Sequence, residues 1–423
     1  MLKTRFVKFF LFFVIVIISA FSVRAWDDTG HKLAAYIAWE QMTPQARAAA
    51  TKILLSAPED SDLSAFYMQD SRTAATRQRE LFMIASTWSD IVRNKDFKNR
   101  YAKYHHGTWH YLDTFWRETN GKVEIVTDLK SDAENAVERL FAFDKMLRDP
   151  TASDADKAIA LAWVLHLGGD IHQPLHDSAR VTKYDPKGDQ GGNLFMLSPK
   201  GATGDDRINL HWYWDSIVGR NVPRVNDACD SDYLPAIAQQ MMKKFPSSRM
   251  RNRLEIGKFD RWQQEGFQIA STKVYPSSLK FGEMPSESYK KMAFEIAQEQ
   301  IALAGYRLGE MLNQIFGGGQ TPVVGQLQKN DINSAKQENE SESAIGQGAN
   351  DKWILFKTKA ALAAASDLRS AAIKVDVEND IVTLRGTVTK TQQMVKALQI
   401  VHEIEGVKQV KNLLKVLPRV AKN

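Results

Sequence analysis

Apolar residues recur at helical spacing along most of this chain. Residues 31–55 (HKLAAYIAWEQMTPQARAAATKILL) carry them every three or four positions, with a break at Thr43-Pro44. A threonine before a proline starts a helix well: its hydroxyl accepts an orphan backbone N–H, and proline fits the first helical position. Two helices are predicted there. The same periodicity runs through 132–149 and 155–172. It also runs through 286–316, where Ser286 is the predicted cap of one long amphipathic helix. Strand signal is scarce before residue 317. Beyond residue 350 the pattern changes. Residues 353–366 read as a helix, and 373–388 (IKVDVENDIVTLRGTV) alternate in period two around Asn379-Asp380, a hairpin turn. A second helical stretch, 391–406, and a closing strand, 407–416, follow. The expected fold class is a mainly α domain followed by a small α+β module in αββαβ order.

The stretches between and before these units are of other kinds. Residues 317–350 are rich in Gly, Gln, Asn, Ser and Glu, a composition that buries no core, and are expected to be a flexible linker. Residues 1–25 open with Lys3, Arg5 and Lys8, continue through an apolar run at 9–18 and end Val23-Arg24-Ala25. A charged start, a short apolar core and a small-x-small end make a secretory signal, too short for a comfortable membrane span. The expected divisions are therefore 1–25, 26–316, 317–350 and 351–418, and the protein is expected to be exported, periplasmic or secreted.

At 423 residues the chain is too long for one ordinary domain. Its formal charge of +6 is unevenly spread. Residues 1–25 carry four basic and no acidic side chains, and those from Asp351 onward thirteen basic and seven acidic, which leaves about −4 between. A nucleic-acid binder resting on lysines would look different there. Bound divalent cations would supply the positive charge instead. The single cysteine, Cys229, permits no intrachain disulfide, so no disulfide partner is expected.

The chemistry concentrates in 161–177, LAWVLHLGGDIHQPLHD. On a helix His166 and Asp170 lie one turn apart on one face. Pro174 cannot continue a helix interior, and His176 follows on the turn. NLHWYWDS repeats the spacing with His211 and Asp215. One such pair is as well explained by a satisfied core histidine. Two pairs and the turn within fifty residues point to metal, and imidazole with carboxylate suits zinc. If residues 1–25 are removed, Trp26 becomes a free amine, easily deprotonated by a metal, with its own carbonyl completing a five-membered chelate; His31 is five residues on. Asp90 and Arg93 sit three apart. Of the histidines in YHHGTWHYLD, His110 is held between Trp109 and Tyr111 and is the plausible ligand, while His105 and His106 read as surface residues. The glycines of 184–193 suit either a surface turn or backbone passing close to the site.

Taken in order, WDDTGH, WSD at 88–90, WHYLD, HLGGDIHQPLH, GDQGGN, NLHWYWD and AGYRLGEMLN resemble the trinuclear-zinc, single-strand-specific nucleases of fungi and plants, the mung-bean nuclease type, from Trp26 to about residue 316. The resemblance implies the phospholipase C/nuclease-type helical fold and three zinc ions. One ion would take Asp90, His110, His166 and Asp170. Its neighbour would take the Trp26 amine and carbonyl, His31 and the other oxygen of Asp170. The third would take His176, His211 and Asp215. It also implies a zinc-held hydroxide as nucleophile, Arg93 facing the scissile phosphate, and Tyr111 and Asp113 stacking on and hydrogen-bonding a base. Tyr111 is a mild departure, since the family often has Phe there. The lack of disulfides, which eukaryotic members have, suggests a bacterial-type member. The implied activity is endonuclease and 3′-nucleotidase action on single-stranded DNA and RNA, giving 5′-phosphorylated products. The tail, with its Gly386 turn, resembles a BON domain and implies contact with phospholipid or another envelope surface. Two other readings remain: a zinc-dependent phospholipase C on the same scaffold, and a non-catalytic envelope-binding protein with structural zinc. Asp215 and the Trp26-to-His31 spacing favour the nuclease over the first. Arg93, Tyr111 and Asp113 argue for an open, substrate-facing site against the second.

Overall fold

A computed structural model of the chain describes residues 26–317, except 69–71, 200–201, 203–206 and 223–229. Beyond these it describes 351–416, except 352–353, 356, 360, 363–367, 369–371, 403 and 405–406. The expected secretory signal, Cys229 and residues 318–350 of the expected linker lie outside the described residues.

The first part is helical. In order it has α1 (Asp28–Gln41), α2 (Pro44–Leu55), α3 (Ala74–Ala85), the single turn α4 (Trp88–Ile91) and α5 (Lys98–Tyr104). After a small hairpin come α6 (Ala136–Arg148), α7 (Asp154–Asp170), α8 (Leu210–Asp215), α9 (Ile217–Asn221), α10 (Asp230–Lys244), α11 (Ser247–Met250), α12 (Phe259–Ile269) and α13 (Glu287–Phe316). The caps are those the sequence announces. The Thr43 hydroxyl accepts from the Ala46 N–H, and the Ser286 hydroxyl from the Tyr289 N–H. Each such cap is worth about 1 kcal/mol. Helices α1, α7 and α13 form the centre, and α7 is buried on every side from Leu161 to Leu167, as a helix enclosed by others must be.

The scarcity of strand before residue 317 needs correction. Strands β1 (Thr114–Thr119) and β2 (Lys122–Ile125) form an antiparallel hairpin, and β3 (Ser178–Arg180) pairs parallel to β1. The turn residues Asn120 and Gly121 have φ of 52° and 74°, the twist a tight hairpin needs. The strands are too short, and β2 too exposed, to show alternation. The sheet lays residues 110–114 beside 176–178: the Leu112 N–H donates to the His176 carbonyl at 2.9 Å, and the Thr114 N–H to that of Asp177 at 3.1 Å.

The tail has β4 (Ala372–Glu378), β5 (Ile381–Val388), α14 (Thr391–His402) and β6 (Gln409–Val416) in a sheet of order β4-β5-β6, with β5 and β6 parallel. Asn379 and Asp380 both adopt positive φ at the hairpin, and the Asp351 carboxylate accepts both of their N–H groups. Helical residues recur between 351 and 362. Among the described residues no helix is long and apolar enough to cross a membrane.

Candidate metal centre

Four elements and two turns bring nine candidate residues to one region. The second turn of α1 carries His31, α4 carries Asp90, and a 3-10 turn (Gly107–His110) ends on His110. His166 and Asp170 lie on α7, and His176 closes the turn Pro174–His176. His211 and Asp215 lie one turn apart on α8, whose N-cap is Asn209, accepting from the Trp212 N–H at 2.7 Å. Trp26 is wholly buried just before α1.

Three clusters result, each with its ligand atoms within 4.8 Å of one another: His31, His166 and Asp170; Asp90, His110 and His166; and His176, His211 and Asp215. The spacings are those of donors around a small ion. His110 Nδ1 and His166 Nε2 are 3.0 Å apart, and His176 Nε2 and His211 Nε2 are 3.1 Å apart. Asp170 turns its two oxygens to different neighbours, Oδ1 to His31 at 3.3 Å and Oδ2 to His110 at 3.1 Å and His166 at 3.4 Å. Tetrahedral ligands with bonds of about 2.0–2.1 Å sit roughly 3.3 Å apart, so the fit is close. Nε2 of His31 and Oδ1 of Asp90 and Asp170, buried and without a hydrogen-bond partner, fit the same purpose.

Backbone carbonyls set the tautomers. The Nδ1–H groups of His166, His176 and His211 donate to the carbonyls of Ser86, His110 and Gly191 at 2.7, 2.6 and 2.7 Å. Each leaves Nε2 unprotonated and turned inward, as ligation requires. Burial reinforces this by holding His110 and His166 well below the usual imidazole range, and it pushes the Asp170 carboxyl up to about 7.

Two glycines permit the crowding. A Cβ on Gly169 would lie 2.6 Å from His31 Nδ1. Gly191 has φ of 60°, and a Cβ there would lie 2.3 Å from the Leu175 carbonyl. Of the two readings of the 184–193 loop, backbone close to the site is the observed one. His105 and His106 are half-buried rather than on the surface. His106 stacks on Trp109 with ring centroids 3.6 Å apart, and neither histidine joins a metal cluster among the described residues.

Arg93 lies just past α4, its Nε 3.1 Å from Asp90 Oδ1. Tyr111 and Asp113 are half-buried at the entry to β1. Burial and the carboxylates of Asp113 and Asp132 push the Tyr111 phenol up to about 12. Burial, then Asp189 and Asp132, push the Asp113 carboxyl up to about 7.

Residues 26–317 match the family described as S1/P1 Nuclease. The chain belongs to the S1/P1 nuclease family. It is 22% identical over 306 residues to Nuclease PA3 of Penicillium sp., covering 69% of this chain and 98% of that protein. It is 23% identical over 309 residues to Nuclease P1 of Penicillium citrinum, with the same shares covered. It is 25% identical over 314 residues to Nuclease S1 of Aspergillus oryzae, 69% of this chain and 91% of that protein. Residues 350–418 match the BON domain. As a member of the S1/P1 nuclease family the chain is a hydrolase of phosphodiester bonds with nucleic acid as its substrate.

Sequence reasoning missed the residues that support the third cluster. Gln173 is wholly buried; its Nε2 donates to Asp215 Oδ1 at 2.6 Å, and its Oε1 accepts the Leu175 N–H at 2.7 Å. Asp189 accepts from Tyr275 Oη at 2.6 Å and from the Arg180 N–H at 2.9 Å, pinning the loop whose Gly191 carbonyl holds His211. The signal for Gln173 was present: an amide between two histidines of a dense motif has little reason to sit in a helix-to-turn junction unless it bonds something.

Proposed function

We propose that this protein is an exported, zinc-dependent endonuclease and 3′-nucleotidase that hydrolyses single-stranded DNA and RNA to 5′-phosphorylated products. What carries the reading is the shared carboxylate of Asp170, whose two oxygens serve two adjacent donor groups, with a third His/His/Asp group nearby. Zinc held by Asp90, His110, His166, Asp170 and His31, by the amine of a trimmed Trp26, and by His176, His211 and Asp215 would activate water at neutral pH and polarise the phosphate.

The protein's own side chains do the rest. Arg93, fixed by Asp90, offers its guanidinium to the phosphate oxygens as charge grows on them. Burial pushes the Asp170 carboxyl up to about 7, and bound metal would hold it in its charged form. Tyr111 gives a base a ring to lie on, and Asp113 meets the base edge. A base can reach that ring only when it is free of a duplex stack, which is the physical source of single-strand preference. The positively charged start, apolar run and small residues of 1–25 support export, and the basic tail is read as contacting anionic phospholipid or another envelope surface.

The test is zinc per mole of protein beginning at Trp26, with rates on single-stranded and duplex DNA, RNA, 3′-nucleotides and phosphatidylcholine. Three zinc ions and preference for single strands are expected. One zinc or none, equal rates on duplex, or turnover of phosphatidylcholine in place of nucleic acid would overturn the proposal.

A further inference from the structure

Between Arg93 and His110 the chain makes one excursion that starts and ends at the metal centre. It leaves with the Arg93 Nε 3.1 Å from Asp90 Oδ1, runs through α5 and returns in the 3-10 turn that ends on His110. Helix α5 has only seven residues, roughly 10 Å of length, so its outer side stays close to the site. The turn that launches it is fixed at Asn94. The side-chain oxygen of Asn94 accepts the Asp96 N–H at 2.9 Å, and its carbonyl accepts the Phe97 N–H at 3.2 Å.

This excursion is basic in a region that is acidic as a whole. Residues 93–106 hold Arg93, Lys95, Lys98, Arg100 and Lys103 against a single acid, Asp96, while residues 26–350 carry about −4. Two of these cations serve the fold. Arg100 is buried with its Nη1 3.0 Å from Asp62 Oδ2, and Lys103 Nζ lies 2.7 Å from Asp60 Oδ2. Lys95 and Lys98 are exposed, and among the described residues neither has a carboxylate partner. Lys95 is also ordered: its ammonium lies 5.8 Å from the centroid of the Tyr101 ring, which stacks on His105 at 4.7 Å. Ordering in advance lowers the cost of bringing that charge to a ligand. Two residues of chain put its Cα at most about 7 Å from that of Arg93. Exposed ammonium groups beside an arginine that faces phosphate suit a nucleic-acid backbone, whose phosphates attract cations whatever the base. We propose that Lys95 and Lys98 continue from Arg93 as a phosphate track, which holds the single strand beyond the scissile phosphate. The track gives a polynucleotide an affinity that a mononucleotide, too short to reach it, does not have. This deepens the single-strand nuclease reading and rests on it.

The experiment uses mature, zinc-loaded full chain carrying K95A with K98A, K95E with K98E, or K95R with K98R. Kinetics are measured across a salt series on twelve-nucleotide oligo(dT) and oligo(dA), and on adenosine 3′-phosphate. A backbone contact on a single strand contributes about 0.7 to the slope of log affinity against log salt, so losing two should flatten the slope for oligonucleotides by about 1.4. At low salt the alanine pair is expected to raise KM roughly tenfold, equally for oligo(dT) and oligo(dA), with kcat within about twofold. The glutamate pair raises it further, and the arginine pair stays near the parent. Kinetics on adenosine 3′-phosphate stay within about twofold in all three. An alanine pair that keeps both the oligonucleotide KM and the salt slope of the parent would overturn the track, as would an equal loss on adenosine 3′-phosphate. The parent separates the two levels. If it hydrolyses neither the oligonucleotides nor the nucleotide, the nuclease reading falls and takes the track with it. If it hydrolyses both while the alanine pair matches it, only the track falls. Both lysines are exposed, so the variants should fold, and thermal unfolding of each checks that.

Discussion

Replacing Gln173 with leucine tests whether the third cluster is built by the fold or merely located by it. The substitution keeps the volume and removes two buried hydrogen bonds. One goes to a carboxylate at 2.6 Å and the other comes from the Leu175 N–H at 2.7 Å. A bond to a charged group contributes about 1.5–3 kcal/mol, and a stranded buried N–H costs about 1–3 kcal/mol. Water has no ready entry, because Gln173, Leu175 and Asp215 are all buried. The sum is roughly 3–5 kcal/mol, or a fall in Tm of about 10 °C for a domain of this size. With Asp215 Oδ1 unheld, affinity at the third cluster should fall roughly 10- to 100-fold, the usual effect of removing a partner that orients a ligand. The assay is zinc retained per chain against a chelator series, with calorimetry of the same samples. Gln173→Leu should release one zinc at a free-zinc level where the parent holds three. A variant that melts within about 2 °C of the parent and keeps its third ion through the series would refute the reasoning, and Asp215 would then be held by the metal alone.

Four further outcomes are expected. Asp170→Asn leaves one acceptor oxygen for two donor groups and should lower kcat/KM by at least about 100-fold, with zinc content below three by metal analysis. Arg93→Ala should lower kcat roughly 10²- to 10³-fold and leave zinc content unchanged; loss of zinc would make the arginine structural. The Asp113 carboxyl, pushed up to about 7, is protonated below that pH and anionic above it. An anion suits the paired donors of guanine and a neutral acid the donor–acceptor edge of adenine, so the guanosine-to-adenosine 3′-phosphate ratio of kcat/KM should rise from about pH 6 to pH 8, and Asp113→Asn should flatten it. Protein with a few residues left before Trp26 should be far less active than protein beginning there, even in excess zinc, since an amide nitrogen is a poor ligand; equal rates without trimming would remove Trp26 from the ligand set.

What could be read from the chain was set by period and by caps. The helices at 44–55 and 287–316 announce themselves through Thr43, Pro44 and Ser286, because their physics is local. His166 with Asp170 and His211 with Asp215 were legible for the same reason: helix geometry turns a spacing of four into a shared face. The β1–β2–β3 sheet was hidden, since its pairing of 114 with 178 is long-range, yet Asn120-Gly121 was a hairpin signal passed over. The carbonyls of Ser86, His110 and Gly191 could not be foreseen at all, because every residue has one and only the fold decides which is aimed at an imidazole. Gln173 falls between. Its residue type is informative, but its partner lies 42 residues away.

The distribution of ligands has a topological meaning as well as a chemical one. With one cysteine the chain cannot staple itself covalently. An ion shared by His31 and Asp170 would close a loop of about 140 residues and one shared by His176 and Asp215 a loop of about 40, and a cross-link over lengths of that order removes roughly 4–5 kcal/mol of unfolded-chain entropy. Loaded sites would thus do for this protein what disulfide bridges do for others outside the cell. Chelation should act on it as a reductant acts on them, lengthening the loops of the denatured chain and exposing it to proteolysis. Access to metal would then set the lifetime of the protein as well as its turnover.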